Sequence, residues 1–287
     1  MLTLLFDGVA YGMLLFVLAV GLAVTLGLMN FINLAHGAFA MAGGYVTVLL
    51  MNRLGVPFLA CLPIAFVATA LLGAVLERTL YRPMYARPHL DQVLFSIGLV
   101  FIAITGVDYA VGSMQQNITL PAWLQGRFDI AWIGIGKYRL FIIAVCAALT
   151  LALQAVLART RFGAQLRASV DDPRVAGGLG LDVNRIFLVT FAVGSGLAGL
   201  GGALGAEVLG LDPTFPLKFM VYFLIVCAVG GTTTITGPLL AALLLGIADV
   251  AGKYYLPKLG AFIVYTLMIV ILLWRPQGLF ARAGGGK

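Results

Sequence analysis

Long stretches of the 287-residue chain carry no Lys, Arg, Asp or Glu: residues 8–52, 54–76, 92–107, 140–158, 186–206, 219–248 and 259–274. A helix crosses roughly 30 Å of hydrocarbon with about 20 apolar residues. The first run therefore has room for two crossings. None of the runs shows the alternating apolar and polar positions of a membrane barrel, and in lipid only helices otherwise satisfy every backbone group. The pattern predicts an all-α, polytopic helical membrane protein, with one transmembrane domain over 1–287 and eight or nine membrane helices.

Arginine places the ends of these helices. Arg78, Arg82 and Arg87 lie in Glu77–Asp91, and Arg159, Arg161, Arg167, Arg174 and Arg185 in a second loop. Arg275, Arg282 and Lys287 close the chain. Basic residues favour the cytoplasmic side. If all three segments are cytoplasmic, the run 219–248 must hold two crossings. It contains Gly230-Gly231-Thr232-Thr233-Thr234-Ile235-Thr236-Gly237-Pro238, where glycine adds backbone entropy and proline lacks a helical donor. Parity and composition agree on a break there. The C-terminus is expected in the cytoplasm, and the N-terminus outside if there are nine helices.

Composition narrows the class. Hydrophobic residues make up 62% of the chain and charged ones 10%, against about a quarter in soluble domains. Soluble enzymes, nucleic-acid binders and disordered tails are excluded. The net charge of +7 calls for nothing beyond attraction of cytoplasmic arginines to anionic membrane lipid. Cys61, Cys146 and Cys227 sit singly in apolar runs and read as small buried hydrophobes.

Three segments hold more polarity than an anchor needs. Asn30-Phe31-Ile32-Asn33-Leu34-Ala35-His36-Gly37 lies inside the first run, where such groups must face protein or water. It is either a short loop between two ordinary helices or a discontinuous helix beside a solute pathway. His36 reads as a capping or hydrogen-bonding group; the other histidine, His89, lies in a basic loop, and no metal site is expected. With the Gly230–Pro238 break, one interruption falls in each half of the chain, the pointer to a transporter-like repeat. The third segment is the loop 159–185. Asp172 then Pro173 is a good helix start. Gly177, Gly178 or Gly180 would end that helix within two turns, and Asp182 can cap the next one. A short amphiphilic helix results, either a solvated connector or a docking element for a soluble partner.

Other signals fail. Gly284-Gly285-Gly286-Lys287 lacks the spacing, the Ser/Thr and the following helix of a phosphate loop, so ATP hydrolysis is not expected of this chain. Ser195, between Gly194 and Gly196, reads as close helix packing rather than as a nucleophile. Asp108, Glu207, Lys218 and Asp249 are lone ionisable residues in or near the membrane and should face the bundle interior.

Together these residues resemble a known family. Met29–Tyr45, Glu77–Pro83 (ERTLYRP), Arg161–Arg185, Lys218, Gly230-Gly231, Gly237, Gly246 and Pro276-Gln277-Gly278-Leu279 are similar to features of the shorter permease subunit of bacterial branched-chain amino acid ABC importers. The resemblance implies a permease of the inner (cytoplasmic) membrane, with no cofactor of its own. A second, longer permease, two cytoplasmic ATPases holding ATP and Mg, and a periplasmic solute-binding protein would be its partners. Asn30, Asn33, His36 and Gly37 with Gly230, Gly231 and Gly237 would line the pathway. Arg167, Asp171, Asp172, Pro173, Arg174, Val175, Leu179 and Gly180 would couple it to the ATPases. The alternative is a self-sufficient secondary transporter or channel for a small polar solute such as urea or an amide.

Overall fold

The computed structural model describes residues 1–29, 31–130, 133–231, 235–276 and 278–279. Asn30, Thr232–Thr234 and the tail from residue 280, with Arg282 and Lys287, lie outside the described residues. The helices are α1 (Leu2–Met29), α2 (His36–Leu54), α3 (Phe58–Leu76), α4 (His89–Val111), α5 (Lys137–Arg159), α6 (Arg161–Asp171), α7 (Pro173–Gly178), α8 (Val183–Leu209), α9 (Phe215–Gly230), α10 (Thr236–Tyr255) and α11 (Gly260–Trp274). Among the described residues six helices are long and apolar enough to cross a membrane, and α9 and α11 are shorter apolar ones. The chain is a multi-pass, all-α membrane protein.

Helix α1 forms the centre; Leu14 to Ala19 are each at most 1% exposed. Around it stand α8, α10, α5 and α9, while α2 and α3 pack on α8. The outer helices turn apolar side chains away from the protein, among them Leu71, Phe101, Ile102, Leu151 and Leu273. In water such surface would be costly, whereas lipid accepts it. Between α2 and α8 the backbones touch: a Cβ on Gly43 would meet the Gly199 backbone, and one on Gly202 the Ala40 carbonyl. Small residues let membrane helices approach this closely. Ser195 sits in the neighbouring α3–α8 seam, buried, where a Cβ on Gly73 would strike its side chain. The close-packing reading of this stretch therefore holds.

Three features depart from the sequence expectation. The segment from Glu77 is not a plain loop, because α3 continues through a π-turn (Glu77–Tyr81) and a 3-10 turn (Arg82–Met84). The long loop before α5 carries a small antiparallel hairpin, β1 (Arg127–Ile130) and β2 (Ile133–Gly136). Loop 159–185 holds two helices rather than one. Thr160 caps α6 by accepting from the Gly163 amide at 3.3 Å, and α6 buries only the narrow stripe Gly163, Leu166 and Ser169.

Candidate functional site

The first break folds back along the helix it interrupts. The Phe31 amide donates to the Thr25 carbonyl at 3.3 Å, and His36, the first residue of α2, bonds through Nε2 to the Leu18 carbonyl at 2.9 Å. Leu18 lies about 16 Å before the end of α1 at 1.5 Å per residue, so α2 begins well inside the length of α1. The segment thus turns back along α1 before α2 starts, and the hydrogen-bonding reading of His36 is met.

What holds the break comes from a motif distant in sequence. Tyr81, fully buried, donates from its hydroxyl to Asn33 Oδ1 at 3.1 Å. Its ring meets Phe31, Phe95 and Phe191 at 4.6–5.4 Å between centroids. Gln92 Oε1 accepts from the Ile32 amide at 3.3 Å. Buried Glu77 accepts from the Tyr85 hydroxyl at 3.2 Å and has Arg82 at 3.6 Å. Burial first, then the Glu77 charge, raises the Tyr85 phenol far above its usual range and keeps it a donor. The π-turn places Glu77 and Tyr81 on one buried face. Asn33 Nδ2 has no hydrogen-bond partner among the described residues.

The second break follows the same plan. Gly231 ends α9 at φ +77, and a Cβ on Gly230 would lie 2.5 Å from the Pro238 backbone. Gly237 is buried. From the chain's end, the Leu279 amide donates to the Val229 carbonyl at 2.8 Å, and Gly278 lies against Gly231. Each break is thus braced by a short segment remote in sequence. The described contacts do not bring the two breaks together directly; α9 joins them. Its Pro216 sits 3.0 Å from where a Gly37 Cβ would be, its Phe223 ring is 6.3 Å from His36, and Gly230 is its far end. Asn33 and His36 are buried, at 1% and 2% exposure.

Helix α7 matches its expected form. Asp172 Oδ1 accepts from the Arg174 and Val175 amides at 2.9 and 3.0 Å, Pro173 is its first residue, and Gly180 follows at φ +87. Asp182 caps α8 through the Arg185 amide at 3.0 Å. Val175 and Leu179 stand 58% and 78% exposed, beside the exposed Asp171, Asp172 and Arg174. Arg167 on α6 turns the other way and donates to the Leu157 carbonyl of α5.

Sequence reasoning missed a largely apolar cavity of about 390 Å³, bordered by charged side chains, where α1, α5, α8, α9 and α10 converge. Three ion pairs surround it: Asp7–Arg139, Asp212–Lys218 and Asp249–Lys253, the last at 2.6 Å. Lys218 and Asp249 are therefore paired rather than lone. The i, i+4 spacing of Asp249 and Lys253 and the six-residue spacing of Asp212 and Lys218 were usable signals; the remote partner of Arg139, Asp7, was not.

Two interruptions in the helical bundle, each braced from a remote segment, and a capped helix exposed at one end mark a multi-pass membrane protein built around broken segments. A family model described as the permease component of branched-chain amino acid transport systems matches residues 4–272. The chain belongs to that family. The high-affinity branched-chain amino acid transport system permease protein BraD of Pseudomonas aeruginosa is 26% identical over 97% of this chain and 95% of its own length. The probable branched-chain amino acid transport permease protein LivH of Methanocaldococcus jannaschii is 28% identical over 94% and 90%. The permease protein LivM of Escherichia coli is 26% identical over 93% of this chain and 68% of its own length. No solved structure matches the chain.

Proposed function

We propose that this chain is the shorter permease subunit of an ATP-driven importer for branched-chain or other hydrophobic amino acids in a bacterial inner membrane. The observation that carries the reading is the family match over residues 4–272. Likeness to both LivH and LivM permeases supports pairing with a longer homologous permease. A periplasmic binding protein delivers the solute, and two cytoplasmic ATPases bind ATP and Mg.

The ATPases dock on α7. Val175 and Leu179 fit an apolar groove, and the Asp172 cap keeps the helix rigid enough to transmit force. Arg167 ties α6 to α5, so displacement of the pair reaches the bundle. The pathway borders the two breaks, at Asn30, Asn33, His36 and Gly37 and at Gly230, Gly231 and Gly237. Broken helices can move as half-length pieces about such points. Nucleotide state and solute then bias one conformational equilibrium. The C-terminus lies in the cytoplasm with α6 and α7.

Uptake of labelled leucine by cells with the gene deleted and restored tests this. Leucine uptake should be lost on deletion, return on restoration, and follow cellular ATP rather than the proton gradient. Undiminished uptake in the deletion strain, or uptake abolished by an uncoupler at constant ATP, would overturn it.

A further inference from the structure

We infer that the cavity between α1, α5, α8, α9 and α10 is a binding site for the zwitterionic head of an α-amino acid. The inference rests on the transport reading above and places the solute contact away from the two breaks.

The walls divide by chemistry. Leu14, Ile142, Leu209, Phe219 and Val250 supply an apolar side, and the volume of about 390 Å³ lies within the range of small-molecule sites. The same lining carries both signs of charge. Asp249 is 2% exposed, its Oδ1 has no partner in hydrogen-bond geometry among the described residues, and the Tyr11 and Tyr222 hydroxyls line the cavity beside it. Oδ2 is held by Lys253, whose side chain is 54% exposed and free to swing on its four-carbon stem. A buried carboxylate with one empty oxygen is costly in a membrane protein. An ammonium group satisfies it.

Charge balance favours a zwitterion over a simple cation or anion. Asp7, Asp249, Arg139, Lys218 and Lys253 all line the cavity, Asp7 paired with Arg139 and Asp249 with Lys253, and Asp212 neutralises Lys218 from beyond the lining. Every charge has a partner, so a lone ion leaves one group stranded. A zwitterion exchanges partners instead. Its ammonium takes Asp249 from Lys253, its carboxylate takes the released Lys253 together with Arg139, and the count of pairs rises by one without net charge. A branched aliphatic side chain then lies on the apolar wall.

Position agrees with import. Arg139 lies near the start of α5 and α6 follows its end, about 30 Å away at 1.5 Å per residue. The cavity is therefore at the end of the bundle opposite α6 and α7, where a solute handed over from outside would arrive.

Saturation-transfer NMR on the full chain in nanodiscs tests the site, with leucine and its amine-free analogue 4-methylpentanoate as probes. Leucine should give the stronger transfer. In Asp249→Asn its binding should weaken about tenfold or more, the loss of one charge-assisted contact, down to the level of the analogue. Equal signals from the two probes, or an unchanged leucine signal in the variant, would overturn the inference. A second measurement is independent of that variant's folding. Val250→Cys should react with a soluble thiol reagent more slowly when leucine is present, above a low background because Cys61, Cys146 and Cys227 are buried. A rate indifferent to leucine would overturn the site. Cell uptake separates the two readings: normal leucine uptake in the deletion strain removes the importer reading, whereas retained transfer and protection keep the cavity site.

Discussion

Tyr81→Phe isolates the contact that braces the first break. The ring of Tyr81 fills an aromatic nest with Phe31, Phe95 and Phe191, and phenylalanine fills it equally, so packing is preserved. Only the hydroxyl goes, and with it the 3.1 Å bond to Asn33 Oδ1. Asn33 is 1% exposed and its Nδ2 is already unpaired, so the whole amide becomes an unsatisfied buried group. A buried polar atom left without a partner costs about 1–3 kcal/mol. We expect Tyr81→Phe to destabilise the protein by about 2 kcal/mol. Replacing both partners by apolar groups of like shape is nearly neutral. Adding Asn33→Leu should therefore recover much of the loss. Thermal unfolding followed by a thiol-reactive dye reads this directly, since all three cysteines are buried. A double variant as unstable as the sum of its singles would refute the brace.

Three further outcomes follow from separate sites. Val175→Asp and Leu179→Asp, at exposed positions within and immediately after α7, should abolish coupled uptake while membrane insertion and thermal stability stay unchanged; normal uptake in both variants removes the docking assignment. Gly37→Leu should reduce transport severely, because even a Cβ there lies 3.0 Å from the Pro216 backbone, and full activity would make that approach irrelevant. Burial pushes the Asp212 carboxyl up, but bonds from Lys218 and Thr214 outweigh it and hold the group below the ordinary range. A depressed carboxyl stabilises the fold above its unfolded-state pKa and loses that contribution as pH falls through the folded-state value. The unfolding temperature of the parent chain should therefore drop more steeply than that of Asp212→Asn on acidification below about pH 4; parallel curves would show that the Asp212 network contributes nothing.

Legibility in the sequence divides along physical lines. Charge-free runs betray the spanning helices because lipid penalises every ionised group. The breaks at Asn33–Gly37 and Gly230–Pro238 stood out for the same reason. Asp172-Pro173 with the glycines after it announced α7, since capping is local chemistry. Helix α6 was hidden: its buried stripe of Gly163, Leu166 and Ser169 holds a single large apolar residue, and its arginines resemble loop charges. The π-turn at Glu77–Tyr81 was hidden likewise, because its buried Glu77 pairs with Tyr85 and Arg82 and only the fold shows that face. No local signal linked Tyr81 to Asn33, or Arg139 to Asp7. Partners remote in sequence are set by packing, and it is packing that brings the helices lining the cavity together.

The central claim is that this permease has no motor of its own. Purified and reconstituted alone in liposomes with imposed proton and sodium gradients, it should show no leucine accumulation, and accumulation should appear only when ATPase subunits, second permease, binding protein and ATP are supplied. Uphill leucine uptake by the lone chain would contradict the account.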